Sequence, residues 1–85
     1  MYRIEYRREA ARALLRMPRN QALLIREKID ALAVDPYAPN NNVKALVGLS
    51  AYRLRVGDWR VIYEIDDDTV TILVLRIASR GTIYK

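Results

Sequence analysis

The residues best able to do chemistry in this 85-residue chain are its arginines. The sequence has neither cysteine nor histidine, which removes the thiol nucleophile, the disulfide framework, the commonest general base and the commonest metal ligand. Lysine and arginine number 15 against 10 acidic residues, a net charge of +5, and 12 of the 15 are arginine. A guanidinium presents a planar fork of donors that matches phosphate oxygens and also stacks on bases, whereas an ammonium acts as a hydrated point charge. Such a composition fits a nucleic-acid or acidic-protein partner. It fits equally a small domain with a merely basic surface, so the positions of the arginines must decide.

Three of them lie in the stretch Tyr52-Arg53-Leu54-Arg55-Val56-Gly57-Asp58-Trp59-Arg60-Val61-Ile62-Tyr63. Gly57-Asp58, with glycine first, suits the two-residue type II′ turn of a β-hairpin. That loop length sets Val56 opposite Trp59, Arg55 opposite Arg60, Leu54 opposite Val61, Arg53 beside Ile62 and Tyr52 opposite Tyr63. One face then collects Arg53, Arg55 and Arg60. The other collects Tyr52, Leu54, Val56, Trp59, Val61 and Tyr63, a nearly continuous apolar surface. Like charges directly across a strand pair are destabilising, within the range of about 0.2–1 kcal/mol for such pairs. An anionic ligand would account for keeping them; the alternative is a solvated face on which Glu64 or Asp58 offsets the charge.

Asp66-Asp67-Asp68 supplies hard oxygen ligands, but three consecutive aspartates at a hairpin tip diverge, and a charged, solvated turn is the simpler reading. Trp59 and Tyr63 read as core aromatics, since their face is the apolar one.

The elements that must position the hairpin are legible from periodicity. Tyr2 to Tyr6 alternates as a half-buried strand. Arg7 to Met17 is helix-forming, with Ala11, Leu14 and Leu15 as its apolar stripe, and Pro18 ends it. A second helix runs from about Asn20 to Val34, with Ala22, Ile25, Ile29 and Leu32 on one face, and the two helices form an antiparallel hairpin. The stretch DPYAPNNN, residues 35–42, is turn chemistry separating a helical half from a strand half. Val43 to Leu49 remains open, and strands follow at Ala51–Val56, Trp59–Ile65 and Thr69–Ile77. The expected fold is α+β: an N-terminal strand, a helix hairpin, then an antiparallel meander with the helices packed on one sheet face.

The length fits one domain spanning residues 1–85. No run of about 18 apolar residues can span a bilayer, and the N-terminus lacks the apolar stretch of a secretory signal, so no membrane association and a cytoplasmic location are expected.

The hairpin Tyr52-Arg53-Leu54-Arg55-Val56-Gly57-Asp58-Trp59-Arg60-Val61-Ile62-Tyr63-Glu64-Ile65 resembles the signature hairpin of the RelE/ParE toxin superfamily. The likeness covers essentially the whole chain: strand, helix hairpin, proline-marked loop, and a meander whose ending here is Ser79-Arg80-Gly81-Thr82-Ile83-Tyr84. The resemblance implies a RelE-like toxin of a type II toxin–antitoxin system, a ribosome-dependent endoribonuclease that cleaves messenger RNA in the decoding site without a cofactor or metal. It implies a cognate antitoxin as partner, with operator DNA reached only through the antitoxin complex. By the same likeness Arg53 and Arg55 match the basic pair before the turn, Arg60 the arginine after it, and Arg80 and Tyr84 the basic residue and tyrosine near the C-terminus. Many relatives carry histidine just before that last arginine, where this chain has Ser79, which puts strong acid–base assistance from that position in doubt. Tyr84 is then the candidate general base, since a phenol of ordinary pKa about 10 loses its proton more readily among cations. The ParE branch shares the fold but poisons DNA gyrase, and a non-catalytic module binding RNA or a partner through the same arginines is the third possibility.

Overall fold

The computed structural model describes residues 1–81. The elements run β1 (Arg3–Tyr6), α1 (Arg8–Arg16), α2 (Arg19–Val34), β2 (Val43–Ala45), β3 (Tyr52–Val56), β4 (Trp59–Asp66) and β5 (Thr71–Ser79). The sheet order is β1-β5-β4-β3-β2. β2 to β5 form the antiparallel meander, and β1 adds to it parallel to β5. The expected α+β architecture is the one observed.

Both helices lie against one face, and a single apolar cluster fills the interval. Ile25, Ile29 and Leu32 of α2 and Ala10 and Leu14 of α1 meet Leu54, Val56, Val61, Tyr63, Ile72, Val74 and Ile77 of the sheet. The stripe of α1 differs from the expected one. Leu15 is 83% exposed, and Ala10, Leu14 and Met17 are buried in its place. A 3.6-residue period allows two stripes on so short a helix, and the alanine-rich one lets the backbone of α1 approach β5 closely. That placement matters for the sheet: β1 pairs with Thr71–Val74 only, and α1 lies along the rest of β5, so an otherwise open edge is covered.

Turn chemistry sets the strand ends. Gly57 has φ +57° while Asp58 is not in the left-handed region, as a type II′ turn requires. At the opposite end β5 begins at Thr71, two residues later than the alternation indicates, because Asp66 Oδ1 accepts from the backbone N–H groups of Asp68 (3.0 Å) and Thr69 (3.3 Å) and Val70 takes φ +51°. The open stretch after Asn42 supplies a short edge strand, β2, followed by a loop across the helix-free face. One further irregularity decides a side-chain direction. Ile62 pairs with Arg76 and Tyr63 with Val74, leaving Leu75 as the extra residue of a β-bulge. Strict alternation would put Arg76 on the same face as Ile72 and Val74; the bulge turns it outward and lets Ile77 enter the core.

Candidate functional site

The hairpin register is the one its two-residue loop dictates: Val56 opposite Trp59, Arg55 opposite Arg60, Leu54 opposite Val61, Arg53 opposite Ile62 and Tyr52 opposite Tyr63. Arg53, Arg55 and Arg60 therefore share the face that the helices leave uncovered. Extending the rows outward adds cations that the hairpin alone does not disclose. Lys44 lies opposite Arg53 and Arg76 opposite Ile62, so one row reads Lys44, Arg53, Ile62, Arg76. The next reads Arg55, Arg60, Ala78.

Arg80 joins the second row from the chain's C-terminal end. Its backbone N–H donates to the carbonyl of Asp58 at 2.7 Å, which fixes it beside the hairpin turn. Arg55, Arg60 and Arg80 then line one open depression of about 540 Å³, together with Lys28, Asn42 and one acidic residue, Asp58. Arg53 lies on the same face one row along and does not line that depression. Tyr84 lies outside the described residues.

Neutral oxygens orient both arginines of the hairpin pair. Arg60 Nη1 donates to the carbonyls of Gly57 (2.8 Å) and Trp59 (2.9 Å), which folds the guanidinium back over the turn. Arg55 Nη2 donates to Asn42 Oδ1 at 3.1 Å. Among the described residues neither arginine has a carboxylate partner, and the offset from Glu64 or Asp58 that a solvated face would use is not made as an ion pair. A guanidinium held by carbonyl and amide oxygens keeps its full charge and leaves donors facing outward. Such a depression suits phosphate oxygens.

The rest of this face is graded. Leu46, Val47 and Leu49 of the β2–β3 loop meet Ile62 and Leu75 in an apolar patch, with Val47 wholly exposed. Beyond it Glu5, Glu64, Asp66, Asp67 and Asp68 make the far end acidic. Two of the three aspartates are committed to structure: Asp66 caps its turn, and Asp67 accepts hydrogen bonds from Tyr2 Oη at 2.5 Å and Tyr37 Oη at 2.6 Å. Those phenol donors hold the Asp67 carboxyl below its usual range, and the hydrogen bond to Asp67 pushes Tyr37 up to about 12.

On the helix side Tyr63 is fully buried and stacks on Tyr52 at 5.6 Å between centroids. Trp59 is half-buried and donates from Nε1 to Gln21 Oε1 at 2.7 Å. Neither ring is offered to a ligand on the arginine face.

A family model, the ParE toxin of type II toxin–antitoxin systems, matches residues 4–84. The chain belongs to the RelE/ParE toxin superfamily. The toxin resembles, at 29% identity and a TM-score of 0.81, a chain of the archaeal RelE–RelB complex from Pyrococcus horikoshii OT3, covering 95% of this chain and 97% of that one. It resembles a chain of the toxin–antitoxin complex RelBE2 from Mycobacterium tuberculosis at 26% identity and a TM-score of 0.79, covering 93% and 98%. A chain of the intact E. coli RelBE complex shares the fold at 16% identity, with a TM-score of 0.80 and coverage of 93% and 96%. No curated protein sequence gives a significant match.

Lys28, Asn42, Lys44 and Arg76 are the residues of this surface that sequence reasoning missed. Lys28 carries no local signal, because it reads as an ordinary exposed position of α2. Arg76 does carry one: an arginine where alternation demands an apolar residue marks either a buried ion or a bulge.

Proposed function

We propose that this toxin is a ribosome-dependent endoribonuclease that cleaves messenger RNA, with Arg53, Arg55, Arg60, Arg80 and Tyr84 as its catalytic residues. The observation that carries the reading is the convergence of Arg55, Arg60 and Arg80 on one depression, with Arg55 and Arg60 held there by neutral oxygens. RNA brings its own nucleophile. The 2′-oxygen forms a bond to the adjacent phosphorus, the bond from phosphorus to the 5′-oxygen breaks, and the products are a 2′,3′-cyclic phosphate and a free 5′-hydroxyl. Tyr84, as its phenolate, takes the proton of the 2′-hydroxyl; the leaving oxygen is protonated from water, since a guanidinium does not give up its proton at ordinary pH, and the hydroxide so formed takes the phenol proton back to restore the base.

The phosphoryl oxygens gain negative charge on the way to the transition state, so preorganised arginines bind that state better than the substrate. Each such donor contributes on the scale of oxyanion-hole donors, about 2.7–4 kcal/mol. Catalysis by a phenol alone is weak on free RNA, and a ribosome that holds the message in an attacking geometry supplies the missing orientation. The cognate antitoxin is the second partner. An acidic, amphipathic segment suits the face, with apolar side chains on Leu46, Val47, Leu49, Ile62 and Leu75 and carboxylates on the arginines beside them.

The test is translation in a cell-free extract with purified toxin, mapping messenger RNA 5′ ends on and off ribosomes, with Tyr84→Phe and Arg60→Ala beside the wild type. Cleavage confined to translated message and weakened in both variants is the expected result; intact message with normal protein synthesis overturns the reading. The match to the ParE family model favours a second reading, inhibition of DNA gyrase. A supercoiling assay with the same preparations separates the two.

A further inference from the structure

A second basic surface lies away from the sheet depression. Arg8, Arg12 and Arg16 recur every fourth residue along α1, and all three are exposed. At 1.5 Å per residue they stand about 6 Å apart along the helix, a step close to that between neighbouring phosphates of an A-form strand. Among the described residues none of the three has an ion pair or a side-chain hydrogen bond, and the single acidic residue of α1, Glu9, is engaged by Arg76 Nε at 3.3 Å. Like charges at i and i+4 destabilise a helix, so the stripe carries two unfavourable pairs that folding does not need.

The stripe borders a groove between α1 and the edge of β5. Arg8, Arg12, Arg16 and Arg76 line it with Glu9, the ion-pair partner of Arg76, and Ala13 and Ala78 are small enough to leave its floor open. Ala78 is also the cross-strand partner of Arg60, so one residue of the groove lies next to Arg60 on the sheet.

We propose that this groove binds the phosphate backbone of an A-form RNA helix, as an anchoring surface separate from the depression that holds the scissile phosphate. Three guanidinium forks at one-turn spacing meet consecutive phosphates of one strand, and Arg76 extends the line toward the sheet. Contacts of this kind position without reading sequence. The use of arginine at every basic position of α1 and its spacing close to that of successive phosphates favour RNA over an acidic protein. The surface stands whether or not the sheet arginines cut RNA, and duplex RNA without a single-stranded stretch tests it apart from cleavage.

The experiment measures anisotropy of a short fluorescent RNA duplex with the full-length toxin from about 50 to 200 mM salt. Three proteins are compared: wild type, the triple variant Arg8→Gln, Arg12→Gln, Arg16→Gln, and the sheet variant Arg55→Gln, Arg60→Gln. Loss of three phosphate contacts lowers the slope of log K against log salt by about 2–3. The triple variant is expected to show that change and to bind at least about tenfold more weakly at the lowest salt, with the sheet variant losing less of both. An unchanged slope in the triple variant overturns the proposal. So does equal binding of the same-sequence DNA duplex, or a loss confined to an acidic polyglutamate probe. Because the three side chains have no partners among the described residues and repel one another, the triple variant should keep or slightly exceed the wild-type melting temperature. Should it melt early, the single variants, each losing about one unit of slope, decide the matter.

Discussion

Arg55 and Arg60 face each other across β3 and β4 with only neutral oxygens for partners among the described residues, and their mutual repulsion is measurable. Arg55 leans toward Asn42 and Arg60 folds back over the turn carbonyls, so the two guanidiniums diverge. Charges on a directly opposed strand pair that repel by about 0.5 kcal/mol at low salt fall in the middle of the range of about 0.2–1 kcal/mol for cross-strand pairs. At physiological ionic strength the screening length is about 8 Å, which reduces the figure to about 0.2 kcal/mol. A double-mutant cycle with Arg55→Gln, Arg60→Gln and the double variant separates this repulsion from the hydrogen bonds each side chain also loses. The assay is thermal unfolding at low and at physiological salt. The expected coupling is repulsive and corresponds to about 2–4 °C at low salt for a domain of this size, shrinking by about half or more when salt is added. A coupling of zero at low salt, or an attractive one, refutes the claim that the pair is kept against folding stability. A short RNA oligonucleotide should raise the melting temperature of the wild type and raise that of the double variant less, since ligand binding stabilises only the state that binds.

Three further outcomes are expected. The Tyr63 hydroxyl is buried with no hydrogen-bond partner among the described residues, and burial pushes its pKa up to about 12; Tyr63→Phe keeps the stack on Tyr52 and should raise stability by about 1 kcal/mol in urea unfolding, whereas a loss of that size would point to an unseen partner. Val70 holds φ +51° with a β-branched side chain, 45% exposed; Val70→Asn, which tolerates that region, should stabilise by about 1 kcal/mol, and an unchanged urea midpoint would count against strain there. The Asp67 carboxyl is held below its usual value by Tyr2 first and Tyr37 second, so its contribution is present above about pH 4 and is lost as pH falls through the lowered value. Tyr37, raised to about 12, contributes in full below about pH 10 and loses that contribution as pH rises toward 12; in Asp67→Asn both pH dependences should flatten, read as melting temperature against pH.

The parts of the fold legible in the sequence are those fixed by local rules. A two-residue loop with glycine first leaves one register for the hairpin, and period two then assigns every side chain of Tyr52–Val56 and Trp59–Tyr63 to a face; the observed pairs are those. Alternation fails where a tertiary demand competes with it. In β5 the pattern Ile72, Val74, Arg76 would send a guanidinium into the core, and the bulge at Leu75 resolves the conflict. In α1 periodicity cannot choose between a leucine stripe and an alanine stripe, and close approach to β5 chooses alanine, which leaves Leu15 exposed. Lys28 and Asn42 come to the depression from a helix and a loop far from the hairpin in sequence; no spacing rule connects them to it.

The separation of the two sheet faces has an energetic consequence. The buried side chains that hold the sheet to the helices lie on one face, while Arg53, Arg55 and Arg60 lie on the other and contribute little to that packing. Substitutions on the helix face should therefore act through stability: truncation of Ile25 or Ile29, each fully buried, costs about 2–5 kcal/mol, a large fraction of what a small domain has. Substitutions of Arg55 and Arg60 should change stability by far less, because the repulsion each relieves offsets the mostly exposed hydrogen bonds it loses. A residue that weakens function while its loss does not weaken the fold is held by a ligand, not by the fold. On the proposed ribonuclease reading Arg55 and Arg60 are kept for the phosphates of RNA, and neither makes an ion pair with Asp58 or Glu64.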